Sequence, residues 1–142
     1  MKGRLLIVDD EREIREMLSR HFRMLDYEVL TAGDGFEALD QLSENRIDVV
    51  ISDIKMPRMN GTDLLKKIKS QYPMVRVIMI TGYVTLENAL ACMRRQADTC
   101  IFKPLNDLTE LEAAVNRAME TLQRWHDKLR ELRGMKPTGE KE

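Results

Sequence analysis

Apolar residues recur along this chain at two spacings. Leu5-Leu6-Ile7-Val8, Val49-Val50-Ile51 and Val75 to Ile80 are short runs bounded by polar or loop-forming residues. They read as strands buried on both faces, the kind found inside a parallel sheet. Between them, apolar positions recur every three or four residues. Ile14, Met17, Leu18, His21, Phe22 and Leu25 predict an amphipathic helix from about Glu11 to Leu25, with Glu11 and Glu13 suited to the helix dipole. His21 on that stripe reads as a boundary histidine with a satisfied hydrogen bond, since no partner motif points to it. Tyr27 to Thr31 reads as an edge strand, Gly33-Asp34-Gly35 as a turn, and Phe36, Ala38, Leu39 and Leu42 as one face of a helix ending near Asn45. The third strand spans Asp48 to Ser52 and delivers Asp53 to a loop forced by Pro57 and Asn60-Gly61. Leu64, Leu65 and Ile68 mark a third helix, with Lys66, Lys67 and Lys69 outside and Pro73 beyond its end. Thr85 reads as the cap of a fourth helix whose inward face is Leu86, Ala89, Leu90 and Met93. Thr99 to Phe102 is a fifth strand, closed by Lys103-Pro104. Asp107 and Glu110 have capping-box spacing before a last helix.

Strands and helices therefore alternate, which predicts an α/β fold: parallel strands, right-handed crossovers and helices on both faces. The first, third and fourth strands are the most apolar and belong in the middle. The order 2-1-3-4-5, the flavodoxin-like doubly wound order, satisfies this with five strands. It sets the ends of the first and third strands side by side, so that Asp9, Asp10 and Asp53 converge. In such sheets the carboxyl edge is where ligands bind.

Composition narrows the class. The chain has 142 residues, 33% charged and 43% hydrophobic, with a formal net charge of -1. That balance gives no general pull toward nucleic acid or membrane. No run is long enough to span a bilayer, and the apolar stretch after Lys2 and Arg4 is too short for a secretory signal. Cys92 and Cys100 form no metal-ligand pattern and read as two reduced thiols of a cytoplasmic protein.

Three carboxylates in one crevice repel one another unless a cation sits among them. Oxygen ligands suit a hard ion such as Mg2+. Lys103 ends the last strand and reaches the same crevice, and Thr81 ends the fourth with a hydroxyl. A divalent cation, a lysine and a hydroxyl around a carboxylate are what phosphoryl transfer to that carboxylate needs.

Asp9-Asp10, Asp53-Ile54-Lys55-Met56-Pro57 with Asn60-Gly61, Thr81 and Lys103-Pro104, in this order, closely resemble the receiver domain of two-component response regulators. The resemblance runs from about Lys2 to Met119. It implies that Asp53 accepts a phosphoryl group from the phosphohistidine of a sensor histidine kinase. Asp10 would ligate Mg2+ directly and Asp9 mainly through water, with Asp53 and the Lys55 carbonyl as further ligands. Thr81 would swing to hydrogen-bond the phosphoryl group, Lys103 would pair with it, and the bond before Pro104 would be cis. Lys55 and Tyr83 stand where dephosphorylation is influenced in that family. The aromatic residue that usually accompanies the threonine switch is replaced by Cys100, and Phe102 lies on the same side of the strand one step nearer the lysine. The aromatic read-out is therefore expected to be weakened or rerouted. Thr81-Gly82-Tyr83 followed by Thr85-Leu86-Glu87-Asn88-Ala89 resembles, more loosely, receivers of AAA+ transcriptional activators.

The last helix overruns such a domain. Leu108, Leu111, Val115, Ala118, Leu122, Trp125, Leu129 and Leu132 alternate at spacings of three and four, an a/d pattern. The expected division is a receiver over 1–119, a coiled-coil-like extension over 120–134 and a disordered tail over 135–142. The extension would pair two chains or lead into an effector, against a helix folded back on its own domain. Lys128 facing Arg133 in a parallel dimer is a like-charge pair and counts against that arrangement. Three other readings are weaker. Haloacid-dehalogenase-type phosphatases carry a second aspartate where Lys55 stands. An interaction module that is never phosphorylated has no use for the full residue set. A flavin site would place its phosphate against Asp9-Asp10.

Overall fold

The structure, a computed structural model, describes residues 1–82 and 85–134. Tyr83 and the tail from 135 to 142 lie outside the described residues. Strands β1 (Arg4–Val8), β2 (Glu28–Ala32), β3 (Val49–Asp53), β4 (Arg76–Thr81) and β5 (Thr99–Phe102) alternate with helices α1 (Arg12–Met24), α2 (Gly35–Glu44), α3 (Gly61–Gln71), α4 (Leu86–Arg94) and α5 (Thr109–Gly134). All strand pairs are parallel and the order is β2-β1-β3-β4-β5. This is the flavodoxin-like arrangement predicted from the apolar runs.

Strand alternation divides the core into two layers. Leu6, Val8, Val50, Val77 and Met79 face α2, α3 and α4. Leu5, Ile7, Val49, Ile51, Ile78 and Ile80 face α1 and α5, where they meet Leu18, Phe22, Leu111 and Val115. Leu5 to Val8 of β1 and Val49 to Ile51 of β3 are apolar on both faces because helices cover both, and the carboxyl ends of the two strands are fixed in register by the pairs Leu5↔Val49 to Val8↔Ser52. His21 behaves as expected: its Nε2 lies 2.7 Å from Glu112 Oε2, tying α1 to α5.

Three local expectations are corrected. Glu11 is the N-cap position of α1 rather than part of its first turn. The fully buried residue of α4 is Cys92; of the expected face, Ala89 and Leu90 are half-buried, while Leu86 and Met93 are 76% and 73% exposed. This nine-residue helix has small or apolar residues around most of its circumference. The capping box before α5 is also absent in that form: the helix begins at Thr109, and Asp107 Oδ1 accepts from the Thr109 N–H at 2.9 Å rather than from that of Glu110. Thr85 does cap α4, accepting from the Asn88 N–H at 3.1 Å. Gly33-Asp34-Gly35 is more than a turn, because Asp34 caps α2 through the Glu37 N–H and pairs with Arg58.

α5 continues unbroken past the sheet. Leu122 is its last buried residue, and Trp125, Leu129 and Leu132 stand exposed beyond it. No described helix is long and apolar enough to cross a membrane.

Candidate functional site

β1 and β3 end side by side, and each ends in carboxylate. Asp53 is the last residue of β3 and is buried; Asp9 follows β1 and is wholly buried; Asp10, next to it, is exposed. One carboxylate oxygen from each of the three lies within 4.8 Å of the others. Lys103, just past β5, closes the crevice. Its Nζ donates to Asp53 Oδ2 at 2.9 Å and Asp9 Oδ2 at 3.2 Å, and lies 3.4 Å from Glu11 Oε1.

The other oxygens are held by backbone. Asp9 Oδ1 accepts from the Glu11 N–H at 2.8 Å, and Asp53 Oδ1 from the Ile54 N–H at 2.7 Å. Burial pushes the Asp9 carboxyl above its usual 3.8, and neighbouring Asp53 pushes the same way, against the backbone bond and Lys103. Burial alone would lower the Lys103 ammonium, but its bond to Asp53 and the charges of Asp9 and Asp53 raise it above its usual 10.5. Lys103 therefore stays charged throughout the ordinary pH range.

Two backbone features shape the loops. The Ile54 carbonyl accepts from the Gly61 N–H at 2.6 Å, drawing α3's first residue against the end of β3. A Cβ on Gly61 would overlap the Asp53 carbonyl oxygen and lie 2.8 Å from Ile54 Cα, so the turn admits only glycine. The Lys103-Pro104 peptide is cis. The Lys103 N–H donates to the Thr81 carbonyl at 2.8 Å, joining the ends of β4 and β5.

The structure thus brings Asp9, Asp10, Asp53 and Lys103 together and places buried Thr81 at the adjacent strand end. Lys55 is exposed on the loop after β3. Cys100 is half-buried against the core layer that contains Cys92, and Phe102 points into solvent. Glu11 was overlooked as a site residue; its position directly after the acid pair is the only sequence signal for it.

The donor set is all oxygen, acidic and crowded, with the Lys103 ammonium as counter-charge. That chemistry fits a small hard divalent cation, which prefers carboxylates, carbonyls and water. Asp9, Asp10 and Asp53 supply the carboxylates for such an ion.

Comparison with known proteins agrees. The response regulator receiver domain family matches residues 5–116. The chain is 39% identical over 130 residues to the regulatory protein AtoC of Escherichia coli (strain K12), covering 92% of this chain and 28% of that protein. It is 38% identical over 122 residues to the DNA-binding transcriptional regulator NtrC of Klebsiella pneumoniae, covering 86% and 26%. The chain thus spans little more than a quarter of either regulator. Among solved structures, the response regulator TrrA of Thermotoga maritima, in complex with Mg(2+)-BeF, superposes with a TM-score of 0.74 at 33% identity, covering 82% of this chain and 98% of that one. With sheet order, acidic crevice and sequence in accord, the chain belongs to the response regulator receiver domain family.

Proposed function

We propose that this receiver accepts a phosphoryl group on Asp53 from a phosphohistidine of a sensor histidine kinase, with Mg2+ as cofactor, and signals through a change of conformation. The observation that supports this most is the setting of Asp53: a buried carboxylate bonded to Lys103 at 2.9 Å and clustered with Asp9 and Asp10. An Asp53 oxygen attacks phosphorus, the new O–P bond forms, and the P–N bond to the histidine breaks with its electron pair leaving on the imidazole. The Ile54 N–H holds Oδ1 and so fixes the carboxylate plane for that attack. Asp9, Asp10, Asp53 and the Lys55 carbonyl would hold Mg2+, which when bound offsets charge on the phosphoryl oxygens. Lys103 exchanges part of its pairing with Asp53 for the phosphoryl group, and Thr81 donates its hydroxyl to it.

The reaction is a self-modification rather than turnover of a substrate. Its read-out runs through the β4 and β5 ends, where Thr81 and Lys103 already share a backbone bond. Cys100 stands in place of the usual aromatic switch and Phe102 is already exposed, so the read-out depends less on an inward-turning ring. If Cys100→Tyr leaves affinity for the phosphorylation-dependent partner unchanged, that rerouting is wrong. Beyond the receiver over 1–119, residues 120–134 act as a helical extension whose exposed Trp125, Leu129 and Leu132 pair with a second copy or lead into an effector. The likeness to AtoC and NtrC favours a regulator of the AAA+ activator type, working in the cytoplasm.

The test is incubation with Mg2+ and acetyl phosphate, read by intact mass. Gain of one phosphoryl group, abolished by chelator, supports the mechanism. No gain on folded protein overturns it and leaves an interaction module acting through α5.

A further inference from the structure

α1 carries Arg12, Arg15, Arg20 and Arg23 and no lysine, whereas the outer face of α3 uses Lys66 and Lys67. The arginines share one stripe of the helix on the side of edge strand β2. With Glu16, Ser19 and Thr31 they line a cavity of about 420 Å3, inside the range of ordinary small-molecule sites, ~300–1,000 Å3. Four guanidinium groups there face one carboxylate, and that carboxylate is engaged: Arg12 Nε lies 2.9 Å from Glu16 Oε2. Arg15 donates to the Asp9 carbonyl at 2.6 Å and Arg23 to the Val29 carbonyl at 3.2 Å, both neutral acceptors. Among the described residues none of Arg15, Arg20 and Arg23 has a carboxylate within ion-pair distance. Like charges at this spacing on a helix repel.

A second observation points to a ligand. Ser19 is 3% exposed, lines the same cavity, and its Oγ has no hydrogen-bond partner. Buried hydroxyls are nearly always paired. An ordinary solvated helix face mixes signs and leaves no buried hydroxyl unmade. Thr31, on the neighbouring edge strand, brings a second hydroxyl to the wall.

We propose that this cavity binds a small phosphate-bearing anion of the diphosphate or triphosphate class. Guanidinium forks match phosphate oxygens two at a time. A chain of two or three phosphates matches the three uncompensated arginines, and a single carboxylate does not. Ser19 Oγ donates to a phosphate oxygen, and Arg15, Arg20 and Arg23 supply the counter-charge. The site adjoins the acidic crevice through the bond from Arg15 to the Asp9 carbonyl, but it uses none of the crevice carboxylates and does not rest on phosphoryl acceptance by Asp53.

The test uses the full chain carrying Asp53→Asn, in chelator so that the crevice is silent, titrated calorimetrically with inorganic tripolyphosphate and separately with a nucleoside triphosphate. Saturable one-to-one binding is expected, weakened roughly tenfold or more by Arg20→Ala, by Arg23→Ala and by Ser19→Ala. Lys66→Ala should leave it unchanged, and Ser19→Ala should melt no lower than its parent without ligand. Equal affinity for the two anions assigns recognition to the phosphate chain, and tighter nucleotide binding adds a base or sugar contact; both support the site. Absence of saturable binding to either anion, or binding untouched by all three α1 variants, overturns it.

Discussion

Replacing Lys103 by Met removes the ammonium that bridges two buried carboxylates. Nζ lies 2.9 Å from Asp53 Oδ2 and 3.2 Å from Asp9 Oδ2, with the Lys103 and Asp9 side chains 15% and 0% exposed. Removing one partner of a buried ion pair costs about 3 kcal/mol or more, because the other charge stays buried and unpaired. Here the loss is partly recovered by protonation. The Asp9 carboxyl already stands above its usual 3.8 because of burial, and losing Lys103 raises it further. The folded variant then binds a proton at higher pH than its unfolded chain does. Its stability therefore falls as pH rises from 3.8 through the raised folded value. The deficit against wild type is full above that value and shrinks below it. In wild type, the raised Lys103 contributes stability that is present below 10.5 and is lost as pH climbs through its folded value. Urea unfolding in chelator, followed by circular dichroism, is expected to give a deficit of about 3 kcal/mol near pH 8. Near pH 5 it should be smaller, because protonation of Asp9 then relieves part of the unpaired charge. Adding Mg2+ should recover more stability in the variant than in wild type. A deficit below ~1 kcal/mol near pH 8, or one that grows as pH falls, refutes this account of the crevice.

Other expectations follow from the same geometry. Gly61→Ala places a methyl against the Asp53 carbonyl and should cost ~2 kcal/mol or more by urea unfolding; a loss within ~0.5 kcal/mol contradicts the close approach. Asp34→Ala removes the α2 cap and the Arg58 pair and should cost ~1–2 kcal/mol at neutral pH. The Asp34 carboxyl is held below 3.8 by the Glu37 N–H and by Arg58. The difference should therefore be constant above about pH 5 and diminish as pH falls below the usual carboxylate range; a pH-independent difference contradicts it. Trp125→Ala, at a side chain 54% exposed, should change monomer stability by under ~0.5 kcal/mol yet weaken self-association or effector coupling through α5; sedimentation showing the same association for both proteins removes that role.

The sheet was legible because its strands are buried on both faces: Leu5 to Val8 and Val49 to Ile51 can belong nowhere but the middle, and their closing carboxylates placed the crevice. The facing of α4 was not legible, since Leu86 and Met93 are as apolar as anything the helix buries. The burial of Cys92 instead is set by what the helix packs against, a tertiary matter absent from hydropathy. Glu11 was read for its place near a helix start, but its reach to Lys103 at 3.4 Å joins residues far apart in the chain. The Asp34–Arg58 pair was hidden for the same reason, whereas the overrun of α5 was plain because a heptad pattern persists without any domain to cover.

The central claim, that Asp53 is the acceptor, is tested most directly by locating the modification. After treatment with acetyl phosphate and Mg2+, borohydride converts an aspartyl phosphate to homoserine, and peptide sequencing by mass spectrometry finds the changed residue. Homoserine at position 53 alone, lost in Asp53→Asn while the fold is retained, is the expected result. Homoserine at Asp9 or Asp10 instead, or full incorporation in Asp53→Asn, would contradict the assignment.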